Sequence, residues 1–286
     1  MNDRELNFFG SKPLLYLVAT PIGNLGELSP RALEVIKEMD YIGAEDTRHS
    51  GELLASFGIK KPMISCHEHN EEEAAGKIIA LLKEGKKVAY MSDAGYPAIS
   101  DPGQRLVKRL IQEGIKVSTI SGPNAALNAL AASGLDSRHF YFHGFLPAKD
   151  GERKKELAGL KAREETLIFY EAPHRIEKTL KDMAEVLGPR EAALARELTK
   201  THEEYLRGNL EELAQIDPAT LKGEMVIIVE GNQEKAPSYG EEEVLSLLKE
   251  AMDKGLKAKD AAKEIAEQVG WSKNQIYALY LQKKDD

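Results

Sequence analysis

The chain has 286 residues, and its 47 aspartates and glutamates outnumber 39 lysines and arginines to give a net charge of −8. This length predicts roughly two domains, each with enough chain to bury a hydrophobic core. The acidic total disfavours unselective nucleic-acid binding, and the single cysteine, Cys66, excludes an internal disulfide and indicates a reducing, cytoplasmic setting.

The first half of the chain alternates between apolar runs and amphipathic segments. After an N-terminal extension, residues 1–13, the apolar run 14–19 is typical of a strand buried on both faces. Ser29 and Pro30 mark a helix start, because serine caps helix N-termini and proline fits the first helical position. Strands and helices then alternate to residue 133, which predicts a parallel α/β domain over residues 14–133.

The pattern changes beyond residue 133. Strand-like segments surround a basic helical stretch, residues 149–163, which predicts a second α/β domain with a mixed sheet over residues 134–232. A polar linker, residues 233–240, leads to a helical module, residues 241–286. There Gly270 and Ser272 separate two helices in the manner of a helix-turn-helix. The predicted fold is therefore a two-domain α/β body with a small helical tail.

Several common signatures do not occur in the sequence. It holds no G-x-x-x-x-G-K-[ST] loop, and the GNLG after the first strand is not G-x-G-x-x-G, which weakens ATP and dinucleotide hypotheses. It holds no HExxH, and in the adjacent run His67, Glu68 and His69 consecutive side chains point apart on a strand, so we expect no metal site. No apolar run approaches the roughly 18 residues of a membrane span.

Three loops rich in small residues follow predicted parallel strands. They are residues 20–26, 92–103 and 121–126. Ligands of open α/β sheets bind at the carboxyl ends of the strands, and small residues let the backbone approach a ligand closely. Each loop alone is typical of a turn, but three at one edge predict a binding site.

Seven stretches in order resemble one family closely. Together they are similar to the tetrapyrrole-methylase-like class of S-adenosylmethionine methyltransferases, and within it to the branch that methylates a cytidine ribose 2′-oxygen in the decoding region of 16S ribosomal RNA. The stretches are LYLVATPIGNLGELSPRALEVI, AEDTRHSGELL, SDAGYPAISDPG, SGPNAALNALAASGL, HGFLP, FYEAPHRIEKTL and GEMVIIVEG. The chain departs from the tetrapyrrole enzymes at Ser92-Asp93-Ala94, where they carry Gly-Asp-Pro.

The resemblance implies that S-adenosylmethionine binds between two α/β domains, usually in a homodimer. It also implies a 16S RNA substrate within an assembled 30S subunit. Carried over position by position, it assigns the donor site to Pro21, Asp93, Ala94, Gly95, Ile99, Asn124 and Ala125 from the first domain, and to Tyr170, Glu171, Leu198 and Met225 from the second.

Candidate catalytic residues follow the second and third strands. A ribose hydroxyl has a high pKa and needs a base or a cation beside it. Asp46 or His69 would accept the proton, and Arg48 would hold a phosphate with its planar guanidinium. The local alternatives are a helix cap for Asp46 and an ion pair for Arg48.

Positive charge for RNA concentrates just after HGFLP. RNA affinity depends largely on phosphate neutralisation. The predicted contacts are Lys149, Arg153, Lys154, Lys155 and, beyond them, Arg175. The alternative is a solvated helix face without a ligand.

Two other functions stay open from the sequence. A methyltransferase of the same class would act on a tetrapyrrole or a protein residue, which the Ser92-Asp93-Ala94 loop and the helical tail disfavour. A non-catalytic regulator with a nucleotide-sensing body and a DNA-binding tail would also present three loops at one cleft.

Overall fold

The computed structural model describes residues 14–233 and 239–284. The predicted N-terminal extension and most of the predicted linker lie outside these ranges. The chain divides into a larger unit that ends at Gly231 and a smaller unit that begins at Asn232.

The first sheet of the larger unit has five parallel strands in the order β3-β2-β4-β1-β5, which confirms the predicted parallel sheet. Its strands are β1 (Leu14–Val18), β2 (Tyr41–Ala44), β3 (Met63–Ser65), β4 (Val88–Met91) and β5 (Lys116–Ile120), and the helices that follow them are α1 (Pro30–Glu38), α2 (Thr47–Ser56), α3 (Glu71–Lys83), α4 (Gln104–Gln112) and α5 (Ala125–Ser133). Because β4, β1 and β5 are neighbours, the loops at their carboxyl ends lie side by side.

Local sequence signals determine where these elements begin. The Ser29 hydroxyl accepts a hydrogen bond from the Ala32 amide at 3.1 Å, and Pro30 is the first residue of α1, as predicted. Leu15 and Val18 of β1 pack into separate hydrophobic clusters on the two faces of the sheet. Burial on both faces explains the continuous apolar runs.

The second sheet is mixed, as predicted, with the order β6-β7-β10-β8-β9. Only β6 and β7 pair in parallel among these strands. The strands are β6 (Phe140–Phe145), β7 (Thr166–Glu171), β8 (Glu191–Arg196), β9 (Glu204–Asn209) and β10 (Met225–Val229), and the helices are α6 (Asp150–Leu160), α7 (Ile176–Leu187) and α8 (Leu210–Leu213).

Helix α5 follows the first sheet in sequence but packs on the second. Ala129 and Leu130 of α5 lie in one hydrophobic cluster with Ile168 of β7 and Ile228 of β10. The Tyr205 hydroxyl and the Arg207 guanidinium of β9 add hydrogen bonds to backbone carbonyls of α5. This helix therefore joins the two sheets into one body.

The smaller unit contains three helices, α9 (Glu241–Asp253), α10 (Ala258–Val269) and α11 (Lys273–Lys284), around an apolar core that includes Leu248, Ile265 and Ile276. Gly270 has a left-handed φ of 70° at the predicted turn. Ser272 caps α11 by accepting from the Gln275 amide at 3.2 Å, and its own amide donates to Gln275 Oε1. In the described residues, no helix is long and apolar enough to cross a membrane.

The structure corrects the predicted role of Arg153. Its side chain is only 1% exposed, because Arg153, Leu157 and Leu160 form the inner face of α6. Its Nε donates to Asp182 Oδ2 at 2.7 Å, and Nη2 donates to Asp150 Oδ1 at 2.7 Å. This guanidinium stabilises the interior of the second half of the chain. Because it is buried, Arg153 is not an RNA contact.

Arg175 is also held internally. Its Nη2 donates to the Leu146 carbonyl at 2.7 Å, and its Nε lies 3.2 Å from Glu171 Oε1. The side chain is 20% exposed. Arg175 thus joins the β6 end to the β7 end rather than extending toward solvent, which corrects its predicted role as an RNA contact.

Replacing Arg153 with methionine is expected to destabilise the protein. The substitution leaves the Asp182 carboxylate buried without its main cation, which costs on the order of 3 kcal/mol in free energy of unfolding. Urea unfolding at neutral pH measures this change. The control is Lys155→Met on the exposed face of α6, for which we expect a change within about 0.5 kcal/mol. Equal stability of the two variants would refute the structural role of Arg153.

Candidate functional site

A cavity of about 300 Å³, here called the main cavity, lies between the loops of the first sheet and the ends of β7 and β10. Nine of the eleven predicted donor-site residues line it. They are Ala94, Gly95, Ile99, Asn124, Ala125, Tyr170, Glu171, Leu198 and Met225. The other two, Pro21 and Asp93, line an adjoining cavity described below.

Hydrogen bonds join the three loops that were predicted to form a site. The Thr20 and Gly95 backbones pair in both directions, at 2.9 and 3.1 Å. The Thr20 hydroxyl donates to the Ser92 carbonyl at 3.2 Å. The Tyr96 hydroxyl accepts from the Gly122 amide at 3.2 Å and so attaches the third loop. The three loops therefore form one connected edge.

The loop after β4 has a strained backbone that its surroundings hold in place. Ala98 and Ser100 adopt left-handed φ values of 67° and 61°, which cost energy in residues other than glycine. At the end of the loop, the buried carboxylate of Glu71 accepts from the amides of Gly103 and Leu106, at 3.1 and 3.0 Å. This carboxylate caps α4 and fixes the loop.

The opposite wall of the main cavity is aromatic and apolar. The Tyr170 ring contacts Phe142 and Phe145 edge-on, with centroids 5.1 and 5.6 Å apart. Phe145 is 53% exposed and Ile99 is 46% exposed, although both are large apolar residues that line the cavity. Exposed apolar surface inside a concave site is typical of ligand binding.

Glu171 places a fixed carboxylate at this wall. Its side chain is fully buried. Oε2 accepts from the Thr179 hydroxyl at 2.6 Å, and Oε1 accepts from the Ala172 amide at 2.8 Å. A buried carboxylate with this many donors stays in one position, so it gives the β7 end a defined shape.

Three acidic residues crowd the first-sheet edge. Burial, together with the nearby carboxylates of Asp101 and Asp93, raises the pKa of Glu45 to about 7. Burial raises the pKa of Asp101 to about 6, with a smaller contribution from Asp93. Asp101 lines the main cavity. This edge therefore favours a cationic ligand.

The predicted catalytic residues line neither cavity, although the Asp46 amide donates to Asp93 Oδ1 at 3.3 Å. Asp46 caps α2 by accepting from the Arg48 amide at 2.8 Å and pairs with the Arg48 guanidinium at 2.7 Å, so both local alternatives are present. Its hydrogen bonds with Arg48 hold the pKa of Asp46 well below its usual range, which makes it a poor base. His69 is exposed in the turn before α3 and lines neither described cavity.

A second cavity of about 450 Å³, here called the side cavity, adjoins the main one. His49 and Lys200 line it, and neither was singled out from the sequence as a site residue. His49, Glu52 and Ser56 lie three and four residues apart on one face of α2. This helical spacing is visible in the sequence and could have identified them as one polar face. Lys200 had no such signal, because it reaches the site from the second half of the chain.

The lysines predicted as RNA contacts, at the start of α6 and within it, are largely paired with acids. Lys149 lies 3.1 Å from Glu152. Lys154 lies 3.6 Å from Asp182 and also pairs with Glu185. Lys155 is exposed, and within the described ranges it makes no ion pair. In those same ranges no group of three or more histidine, cysteine, aspartate or glutamate side chains could hold a metal ion.

Two family models match the chain. The model described as Tetrapyrrole (Corrin/Porphyrin) Methylases matches residues 14–214, and one described as RsmI C-terminal HTH domain matches residues 240–284. A relative from Halalkalibacterium halodurans is 48% identical over 95% of this chain and 96% of its own length. One from Bacillus subtilis is 44% identical over 98% of this chain and 99% of its own length. Both are named ribosomal RNA small subunit methyltransferase I.

Solved structures share the fold of the larger unit at low sequence identity. The methyltransferase CobJ has a TM-score of 0.58 and 18% identity, covering 77% of this chain and 95% of that one. The cobalt precorrin-4 methyltransferase CbiF has a TM-score of 0.56 and 17% identity, covering 76% of this chain and 94% of that one.

Replacing Asp101 with asparagine is expected to stabilise the protein at pH 8. Its pKa rises from 3.8 to about 6, so between these values the folded protein holds a proton that the unfolded chain has lost. Wild-type stability therefore falls as pH rises through this window, and the amide avoids that loss. We expect a gain of about 1 kcal/mol in free energy of unfolding at pH 8, and none near pH 4. Urea unfolding at both pH values measures it, and a gain independent of pH would contradict this electrostatic origin.

Proposed function

Because the chain belongs to the tetrapyrrole methylases, a family of S-adenosylmethionine-dependent methyltransferases, we propose that it methylates a cytidine ribose 2′-oxygen in the decoding region of 16S ribosomal RNA. The observation that carries this proposal is the main cavity, in which three joined loops face an aromatic wall. Full-length relatives named as ribosomal RNA methyltransferases support the choice of substrate.

The residues of the main cavity fit the methyl donor. Tyr170, Leu198 and Met225 offer apolar surface for an adenine ring, and the backbone around Gly95 offers polar groups for ribose and methionine. The donor supplies a methyl group already activated on a cationic sulfonium. The carboxylate of Asp101 lines the same cavity and suits that charge.

The chain contributes positioning and proton transfer. In the reaction a bond forms between the ribose oxygen and the methyl carbon, the carbon–sulfur bond breaks, and the hydroxyl proton leaves. Holding the two reactants in line supplies much of the barrier reduction. His49 and Asp93 both line the side cavity. In this proposal His49 takes the departing proton, because Asp46 is engaged by Arg48 and His69 lies outside both cavities.

RNA contact in this proposal rests on Lys149, just before α6, and on Lys154 and Lys155 within it. A net charge of −8 gives weak attraction to arbitrary RNA, so an assembled 30S subunit is the better substrate. The expected homodimer and a cytoplasmic location belong to the same proposal.

The first test is methyl transfer from labelled donor to 30S subunits and to naked 16S RNA. We expect label in the 30S subunit, and mass spectrometry of the nuclease digest to find 2′-O-methylcytidine. Label in a protein of the 30S subunit, or in a tetrapyrrole offered in a separate reaction, would support the alternative methyltransferase. Tight binding of duplex DNA without any transfer would support the regulator.

The second test concerns the α6 lysines. Lys149→Glu combined with Lys155→Glu is expected to weaken 30S binding about tenfold at moderate salt, since two phosphate contacts are lost. Donor affinity, measured by calorimetry, should not change. The control is Lys60→Glu with Lys86→Glu. These two exposed lysines precede β3 and β4, at the amino ends of the strands, whereas the cavities lie at the carboxyl ends. Equal losses in both double variants would reject α6 as an RNA contact.

A further inference from the structure

Most of the predicted donor-site residues line the main cavity, and of the eleven only Pro21, Asp93 and Ala94 line the side cavity. We propose that it receives the target nucleotide, turned out of the RNA strand, with its base inside the cavity and its ribose facing the main cavity. This inference rests on the proposed function and names the substrate site for it.

The connection between the two cavities is the first argument. Ile22, Ala94 and Glu224 line both of them. An in-line methyl transfer requires the attacking oxygen to approach from a space that opens onto the donor. At about 450 Å³ the side cavity is within the size range of small-molecule sites, so it has room for one nucleotide.

The lining of the side cavity suits a pyrimidine nucleotide. Leu25 and Leu53 give apolar surface for a base face, while Glu52 and His49 give polar groups along α2. A glutamate accepts a hydrogen bond from the exocyclic amine of cytosine, which uracil lacks. Glu52 therefore distinguishes the two pyrimidines.

Lys200 lies at the boundary of this cavity, where two carboxylates hold its ammonium group. Its Nζ lies 2.9 Å from Glu197 Oε1 and 3.4 Å from Glu224 Oε2. The stem of Lys200 passes so close to Gly23 that a Cβ there would be 2.5 Å from its Cγ. Gly23 thus permits Lys200 to cross from the second half of the molecule to the loop after β1.

The backbone around Lys200 is strained in a way that supports a fixed position. Glu197 and Thr199 have left-handed φ values of 50° and 67°. Such strain persists only where the surroundings hold it, and it is concentrated at ligand sites. This short turn carries Leu198 into the main cavity and Lys200 into the side cavity. One segment therefore serves both reactants.

Binding of a nucleotide that is turned out of its strand is consistent with the way proteins recognise RNA sequence. Proteins recognise unstacked RNA bases by their edges and faces, and enzymes that act on a base turn it out of the strand into a pocket. The ribose then reaches the main cavity without passage of a duplex into the molecule.

The test fills the side cavity and measures nucleotide binding directly. Ser56 is exposed on α2 and lines the cavity, so Ser56→Trp fills it without disturbing the core. Ala55→Trp, at the exposed neighbouring position outside the cavity lining, is the control. The probes are cytidine and uridine 5′-monophosphate, followed by NMR shifts of the His49 imidazole with S-adenosylhomocysteine present.

We expect cytidine monophosphate to shift the His49 signals in wild type and in Ala55→Trp, and to have no effect in Ser56→Trp. Methyl transfer to 30S subunits should fall at least about tenfold in Ser56→Trp, with S-adenosylhomocysteine affinity retained. Glu52→Ala, which leaves the cavity open, should bind both monophosphates alike.

The result that overturns the inference is methyl transfer by Ser56→Trp at the wild-type rate, because the proposed function would then hold without this cavity. A wild-type preference for cytidine that survives in Glu52→Ala would overturn the role of Glu52. Failure of wild type to methylate any RNA would instead overturn the proposed function itself.

Discussion

The paired backbone hydrogen bonds between Thr20 and Gly95 are the constraint on which the site depends. They tie the loop after β1 to the loop after β4. Ile22 and Ala94, which line both cavities, lie close to this bridge in sequence. The same two hydrogen bonds therefore set the shape of the donor space and of the space beside it.

The anchors of the β4 loop extend this constraint into the core. Glu71 accepts hydrogen bonds from the amides at the start of α4. The buried Tyr90 hydroxyl lies 3.0 and 3.1 Å from the carbonyl oxygens of Cys66 and Pro102, between which it shares its one proton. These groups let Ala98 keep a left-handed backbone. A site held in this way is formed before its ligand arrives, so little binding energy is lost in ordering it.

The fold was largely predictable because its signals are local. Apolar runs, the cap at Ser29 and the turn at Gly270 each depend on a few neighbouring residues. The roles of individual side chains were harder to predict from the sequence. The inner position of Arg153 was visible in its spacing with Leu157, but a basic segment read as a whole concealed it. Lys200 contacts Gly23, although most of the sequence of the larger unit separates the two residues. Sequence periodicity cannot predict a contact between residues so far apart in the chain.

Helix α5 has a consequence for how the molecule reaches its native state. It is the last element in the alternating strands and helices of the first half. Strands that come later in the chain cover its buried face, which includes Ala126, Ala129 and Leu130. A nascent polypeptide that ends at residue 133 would expose that face to water. Helix α5 therefore gains its apolar packing only after β7 and β10 have been synthesised.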